Sequence, residues 1–204
     1  MQYNPENHQR RSTRLKGFDY SQPGAYFITI CTYHHACIFG ENIGNKIILN
    51  ESGKIAEREW SKTSRIRDNI QLDVYIIMPD HLHGIIYITD VCAGAYCIVP
   101  LQQHHYQTEQ FGKFTRNSIP TIIKLFKSTV TRQINQLRKI PGFPVWQRNY
   151  FDHVIRNEQE LYRIRRYIMN NPVNWEIFRS QNFRMNDIWS VPVSFPNTEN
   201  RAVR

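Results

Sequence analysis

The segment QLDVYIIMPDHLHGIIYIT, residues 71–89, carries the strongest β-strand signal of the chain. β-Branched and aromatic residues dominate it, which is typical of strands. Pro79 lies in its middle, and because proline cannot donate a ladder hydrogen bond, the segment predicts two strands joined by a tight break or a bulge. The second half contains His81 and His83, with only Leu82 between them.

The two histidines are expected to project side by side, because side chains two positions apart on a strand point to the same face. Two imidazoles in this arrangement can hold one metal ion. A His-x-His pair is also compatible with two packed or hydrogen-bonded histidines that bind no metal. The pair therefore needs a third ligand and a reactive group before it defines a site.

Further strands and helices are predicted before and after this segment. GAYFITICTYHH (24–35) predicts a first strand, IIL (47–49) a short strand, and NESGKIAEREWSKTS (50–64) a helix. A second, amphipathic helix is expected after Ser118, a candidate N-cap, with Pro120 in its first turn. The predicted apolar stripe of that helix consists of Ile119, Ile122, Ile123, Phe126, Val130, Ile134 and Leu137.

The last predicted helix offers the missing groups. VWQRNYFDHVIRN (145–157) predicts a short strand or extended segment, and the helix is expected from Asn157, its cap, to Pro172, which stops it. Tyr167 and Asn171 lie one turn apart, so the helix can present a phenol and an amide to the same spot. A phenol can act as a nucleophile, and an amide oxygen can ligate a metal. Alternatively, both are ordinary packing and helix-end residues. The apolar stripe of this helix consists of Leu161, Ile164 and Ile168.

Three stretches in the same order, YIIMPDHLHGIIYI (75–88), VWQRNYFDHVIRNEQEL (145–161) and YIMNNPV (167–173), together resemble the REP-associated tyrosine transposases. These proteins belong to the single-tyrosine HUH transposases. RLKGFDYSQPGAYFITICTY (14–33) fits the same family, so the resemblance covers most of residues 14–175. It implies an α+β fold, with an antiparallel sheet and helices packed on one face in a ferredoxin-like arrangement.

The resemblance also implies roles for single residues. His81, His83 and Asn171 would bind a divalent metal, Mg²⁺ or Mn²⁺, and Tyr167 would attack a phosphodiester of single-stranded DNA. A 5′-phosphotyrosine intermediate would form, and the chain would act as a transposase on DNA with hairpin-forming palindromes. No nucleotide cofactor is needed. Asp80 occupies a position that is polar in the family, and the resemblance assigns it no role.

Other functions remain open at this stage. The chain could be a domesticated DNA-binding protein that does not cleave, or a metal-dependent nuclease that uses water. Tyr150 and Tyr162 are rival nucleophiles, although both are better explained as packing residues. A zinc site is a weaker alternative, because the spacing fits no zinc finger; its candidate ligands are Cys92, Cys97, His104 and His105.

The charge balance indicates a polyanionic partner, because 26 Lys and Arg outnumber 17 Asp and Glu for a formal net charge of +9. We expect single-stranded DNA with a hairpin as this partner, bound by a monomer or a homodimer. The candidate DNA contacts, each of which can equally be a solvated surface charge, are Arg10, Arg11, Arg14, Lys16, Lys124, Lys127, Arg148 and Arg156.

The remaining features predict the organisation of the chain and its compartment. Residues 1–16 are expected to form a flexible basic arm, 17–180 a catalytic domain with a loop insertion near 89–117, and 181–204 a C-terminal tail. No apolar run reaches the length of a membrane span. Four cysteines in 204 residues do not make a disulfide framework. These observations favour a cytoplasmic protein with no membrane partner.

Overall fold

The computed structural model describes residues 18–90 and 115–180. The predicted arm (1–16) and tail (181–204), and most of the predicted insertion (89–117), lie outside these residues. The described elements are β1 (Gly24–Cys31), β2 (Gly40–Ile43), β3 (Lys46–Leu49), α1 (Glu51–Arg65), β4 (Ile70–Ile77), β5 (His81–Ile88), α2 (Ile119–Arg138), β6 (Phe151–Ile155) and α3 (Glu158–Ser180), with one short 3₁₀ turn at Tyr33–His35.

Four of the strands form one sheet in the order β4-β5-β1-β6, in which every neighbouring pair is antiparallel. The strands β2 and β3 form a separate hairpin. The break predicted at Pro79 is confirmed, because residues 78–80 turn the chain from β4 into β5. The two central strands are β5 and β1. In their register, His81 lies opposite Cys31 and His83 lies opposite Thr29.

The two faces of the sheet have separate cores. Ile28 and Ile30 of β1 and Leu82 and Ile86 of β5 belong to one core, which also holds Trp60 of α1 and the apolar stripe of α2. The alternate residues of β1 and β5 face α3, whose buried residues in this second core are Leu161, Ile164 and Ile168. The predicted α+β class with an antiparallel sheet is confirmed, but the expectation that the helices pack on one face is not met, because α3 covers the face opposite α1 and α2.

Gly84 allows α1 to approach the centre of the sheet. A Cβ atom at Gly84 would lie 2.7 Å from Cζ2 of Trp60, closer than side-chain carbons approach. Trp60 is completely buried, so it has no room to withdraw. The glycine beside His83 is therefore a packing requirement of the face that does not carry the histidines.

Two of the predicted helix starts are confirmed by side-chain caps. Oδ1 of Asn50 accepts a hydrogen bond from the Gly53 amide at 3.0 Å, and Oδ1 of Asn157 accepts one from the Glu160 amide at 2.8 Å. Ser118 occupies the N-cap position of α2, as predicted, but its hydroxyl donates to the Thr115 carbonyl and makes no capping hydrogen bond. The predicted stripe of α2 is buried except for one member at its end, Leu137, which is exposed.

The prediction that Pro172 stops the last helix is wrong, since α3 continues to Ser180. A proline inside a helix removes one hydrogen bond and costs about 3 kcal/mol. Contacts at Pro172 and in the turn that follows it offset this cost. The Asn42 side chain donates to the Pro172 carbonyl at 2.7 Å, and Trp175 is buried one turn further on, with its indole N–H bonded to Asp80. None of the helices in the described part of the chain is long and apolar enough to cross a membrane.

Candidate active site and metal centre

The two histidines project from β5 toward α3, as the alternation of the strand requires. Their ring centroids are 4.4 Å apart. Residues of β1 lie beside them in the same layer, because Thr29 pairs with His83 and Phe27 stacks on the His83 ring at a centroid distance of 5.6 Å. The sheet thus holds both imidazoles in a fixed, mostly apolar setting.

His83 is fully buried and hydrogen-bonded through both ring nitrogens. Its Nδ1 lies 2.7 Å from the hydroxyl of Thr29, and its Nε2 lies 3.3 Å from the hydroxyl of Tyr167. Burial lowers the pKa of His83 well below its ordinary value, and the nearby His81 lowers it further. The imidazole is therefore neutral near pH 7, which is the form that binds metals.

His81 is oriented by a buried carboxylate. Its Nδ1 lies 2.7 Å from Oδ1 of Asp80, which also accepts a hydrogen bond from the Trp175 indole N–H at 3.2 Å. Burial alone would raise the pKa of Asp80, but the hydrogen bond and positive charge offered by His81 outweigh it, so the pKa falls below its ordinary value. When the imidazole is neutral, an ionised Asp80 favours the tautomer with the proton on Nδ1, which leaves the lone pair of Nε2 free.

Tyr167 and Asn171 reach the histidines from α3. Oδ1 of Asn171 lies 3.3 Å from Nε2 of His81, and the Tyr167 hydroxyl lies 3.3 Å from Nε2 of His83. Burial raises the pKa of Tyr167 far above its usual range, although the Asn171 amide opposes the rise. The phenol is therefore protonated at neutral pH in the free protein.

The donor set of this cluster fits a divalent cation. With the proton of His81 on Nδ1, its Nε2 and Oδ1 of Asn171 are two acceptors that face each other at 3.3 Å. Neighbouring ligands of a cation with bonds of about 2.1 Å are about 3 Å apart in an octahedral site. The amide oxygen suits Mg²⁺ or Mn²⁺, and the two imidazoles favour the transition metal, so of these two cations the set fits Mn²⁺ better.

Without a cation, the contact between Nε2 of His81 and Oδ1 of Asn171 is satisfied either by a proton on Nε2 or by rotation of the amide. Rotation of the Asn171 amide would turn its Nδ2, which is buried with no hydrogen-bond partner as it stands, toward His81. The described residues contain no cluster of three or more His, Cys, Asp and Glu side chains that could hold a metal. The candidate metal centre therefore depends on the amide oxygen of Asn171.

The rival tyrosines lie elsewhere. Tyr162 is exposed on α3, with the guanidinium of Arg166 5.9 Å from the centre of its ring. Tyr150 is partly buried against the core on the α1 and α2 face. The candidate zinc ligands Cys92, Cys97, His104 and His105 lie outside the described residues.

The candidate DNA contacts fall into three groups. Lys124, Arg148 and Arg156 are exposed. Lys127 is partly buried, and its ammonium group donates to the backbone carbonyls of Gln147, Arg148 and Asn149. The third group lies outside the described residues and consists of Arg10, Arg11, Arg14 and Lys16.

Three residues of the cluster were not predicted as part of the site. Thr29 and Trp175 bond to His83 and Asp80, and Asp80 bonds to His81. The sequence signals for Asp80 were its place next to His81 and a position that is polar in the family that the chain resembles. Thr29 becomes a neighbour only through the register of β1 with β5, and Trp175 only because α3 continues past Pro172.

Together these contacts define an α+β protein in which an antiparallel sheet presents two histidines to a helix that carries a tyrosine and an asparagine. The fold is similar to that of a REP-associated tyrosine transposase solved bound to a REP hairpin, with a TM-score of 0.50. That match covers 95% of this chain and 99% of the other. Because the identity is 13%, the match shows a similar fold and nothing more.

A closer relative defines the family. A protein of Haemophilus influenzae, described as "Uncharacterized protein", is 41% identical over 174 residues, which cover 85% of this chain and 94% of that protein. The chain belongs to the same family as this Haemophilus influenzae protein. No known family profile matches the sequence.

Proposed function

We propose that the chain is a single-tyrosine HUH transposase, which cleaves and rejoins single-stranded DNA through a covalent bond to Tyr167. His81, His83 and Asn171 would hold the divalent cation, Mg²⁺ or Mn²⁺. One observation carries the proposal: the Tyr167 hydroxyl lies 3.3 Å from Nε2 of His83, one helical turn from the amide that contacts His81. A nucleophile and three candidate ligands thus share one site.

The proposed reaction exchanges one phosphorus–oxygen bond for another. The phenolic oxygen of Tyr167 forms a bond to the scissile phosphorus, and the bond from phosphorus to the 3′ oxygen of the preceding nucleotide breaks. Tyr167 loses its proton, and the departing 3′ oxygen gains one. Since the phosphotyrosine keeps the energy of the broken linkage, a second 3′-hydroxyl can attack it and reseal the strand.

The residues around Tyr167 suit this task. Because burial raises the pKa of Tyr167 in the free protein, the phenolate must be stabilised when substrate binds. The cation, when bound, supplies the positive charge that polarises the phosphate and favours the phenolate. The ring of Phe27 packs edge-on against the Tyr167 ring at a centroid distance of 6.1 Å and supports it beside His83.

Two further observations support DNA with a hairpin as the substrate. The formal charge of +9 suits a nucleic-acid partner. The transposase of similar fold was solved bound to a REP hairpin.

The test is an adduct assay with an end-labelled single strand that contains a hairpin-forming palindrome, in the presence of Mn²⁺. Wild-type protein should give a labelled band that survives denaturant and disappears with protease, and mass spectrometry should place the DNA on Tyr167. Tyr167→Phe should give no adduct. Tyr162→Phe, which removes the same oxygen from the exposed tyrosine of α3, is the matched control and should react normally.

Two outcomes would overturn the proposal. Cleavage without any adduct would mean that water attacks and that the chain is a nuclease. Binding of the hairpin strand with neither cleavage nor adduct, in protein shown to hold Mn²⁺, would mean that the chain is a DNA-binding protein.

A further inference from the structure

A basic groove runs between α2 and the segment 142–148, on the side of the molecule that leads into β6. We call it the α2 groove; it has a volume of about 470 Å³, and its walls include Lys127, Thr131, Arg132, Asn135, Trp146 and Arg148. No acidic side chain of the described residues lines it. Neither Arg132 nor Arg148 forms an ion pair with a carboxylate in the part of the chain that the structure describes, and both are exposed. Two guanidinium groups are thus available for an anion.

The wall formed by segment 142–148 is fixed at several points. The Asn135 side chain, itself buried, donates to the Phe143 carbonyl at 2.9 Å, and Lys127 donates to the Gln147 carbonyl. At its far end the segment bonds to the sheet, through a bridge between Thr32 and Trp146 and a hydrogen bond from the Gln147 amide to the Cys31 carbonyl at 2.9 Å. A groove with a wall anchored in this way is preformed, so binding there would cost little ordering.

The segment that forms the groove wall also carries an exposed aromatic ring. Phe143 lies between two lining residues, Gly142 and Pro144, and half of its surface is open to solvent. Proteins that bind single strands combine a basic groove, which follows the phosphates, with aromatic rings on which bases stack. Bases inside a duplex are already stacked on one another, so an exposed phenylalanine on the wall segment of a basic groove favours a single strand.

The groove reaches the end of β1 that pairs with His81, although α2 itself packs on the opposite face of the sheet. Cys31, whose carbonyl binds the groove wall, pairs across the sheet with His81. Lys127 and Cys31 are close enough for the charge of the lysine to affect the thiol. A single nucleic-acid strand that leaves the groove along this wall would therefore pass the end of β1 on its way to the histidines.

We infer that the α2 groove binds single-stranded nucleic acid, with Arg132 and Arg148 on the phosphates and Phe143 under a base, and leads the strand toward His81 and Tyr167. The direction of the strand rests on the proposed function; the binding site itself does not. Arg148 was a candidate contact on sequence grounds, whereas Arg132 and Phe143 become visible only through the groove.

The test measures binding, in chelator and with the Tyr167→Phe variant, so that no cleavage can occur and failure of the proposed chemistry does not affect it. The probe is a fluorescent oligothymidylate of about 20 nucleotides. Arg132→Gln combined with Arg148→Gln should weaken its binding tenfold or more at low salt, and lower the slope of log affinity against log salt by about 1.4 for two phosphate contacts. The charge-matched control, Lys54→Gln with Arg65→Gln on exposed positions of α1, should change affinity less than twofold.

A second comparison separates stacking from charge. Phe143→Ala should weaken binding of the oligothymidylate fivefold or more but leave an abasic strand of equal length unaffected.

Equal losses of affinity in the Arg132→Gln, Arg148→Gln double variant and its charge-matched control, or no loss in either, would overturn the inference. So would an equal loss for a blunt hairpin without single-stranded flanks, because that result would make the groove a duplex site.

Discussion

Nδ1 of His81 lies 2.7 Å from Oδ1 of Asp80, a carboxylate that is almost completely buried. This contact fixes the plane of the imidazole and places its free lone pair on the side of Asn171. A carboxylate behind a histidine also makes the imidazole a stronger metal ligand, because it stabilises the positive charge that ligation induces.

Asp80→Asn should therefore weaken binding of Mn²⁺ by about 10- to 100-fold. The substitution keeps the shape of the side chain and its acceptor oxygen but removes the charge. Isothermal titration with Mn²⁺ measures the effect directly, without DNA or catalysis. Asp73→Asn is the matched control, since Asp73 pairs with Arg165 away from the histidines. Equal Mn²⁺ affinity in wild type and Asp80→Asn would contradict the role of Asp80.

Gly84→Ala should destabilise the fold by about 1–3 kcal/mol, the usual cost of overpacking. The new methyl group would lie 2.7 Å from Cζ2 of Trp60. Urea denaturation gives the change in the free energy of unfolding. Trp60→Phe removes part of the ring that the methyl group meets, so the double variant should be more stable than the sum of the two single effects. Simple additivity would show that Trp60 is not the obstacle.

The stability of the protein should depend on Lys127 at alkaline pH. Burial lowers the pKa of Lys127 to about 8, against 10.5 for an ordinary lysine. Between these values the unfolded chain keeps the proton that the folded chain has released, so stability rises with pH through this group. Below pH 8 both states are protonated and the contribution is constant.

Comparison of wild type with Lys127→Met isolates this contribution. From pH 8 to 10.5 the free energy of unfolding of wild type should rise relative to that of the variant, as followed by urea denaturation. Lys124→Met, at an exposed position of the same helix, is the control that removes the same charge. A difference between wild type and Lys127→Met that is flat or falls over this range would be inconsistent with a buried Lys127.

Local sequence patterns predicted the parts of this fold that depend on residues close together in the sequence. The break at Pro79, the apolar stripe of α3 and the cap at Asn157 follow from rules that act within a few residues. The features that these local rules did not predict depend on contacts between residues distant in sequence. Pro172 lies within α3 because Asn42 and Asp80, which are distant in sequence, bind the residues around it.

In the candidate site, too, local patterns predicted some features and long-range contacts determine the others. His81 and His83 share a face by strand geometry, and Tyr167 and Asn171 share one by helix geometry, so each pair was visible in the sequence. That the two pairs meet depends on α3 packing on the histidine-bearing face of the sheet, which no local pattern specifies. Thr29 enters only through strand register.

The last prediction concerns the amide of Asn171. If its oxygen is a metal ligand, Mn²⁺ should raise the melting temperature of the wild-type protein, because a ligand that binds the folded state stabilises it. Asn171→Leu, which keeps the volume but removes the oxygen, should lose most of this rise. Asn171→Asp, which supplies a charged oxygen at the same place, should show a larger rise than wild type. Asn170→Leu, at the exposed neighbouring position of α3, is the control and should respond as wild type does. An undiminished rise in Asn171→Leu would mean that the amide does not ligate the cation; its N–H would then be turned toward His81, and the metal centre would consist of the two histidines and groups outside this cluster.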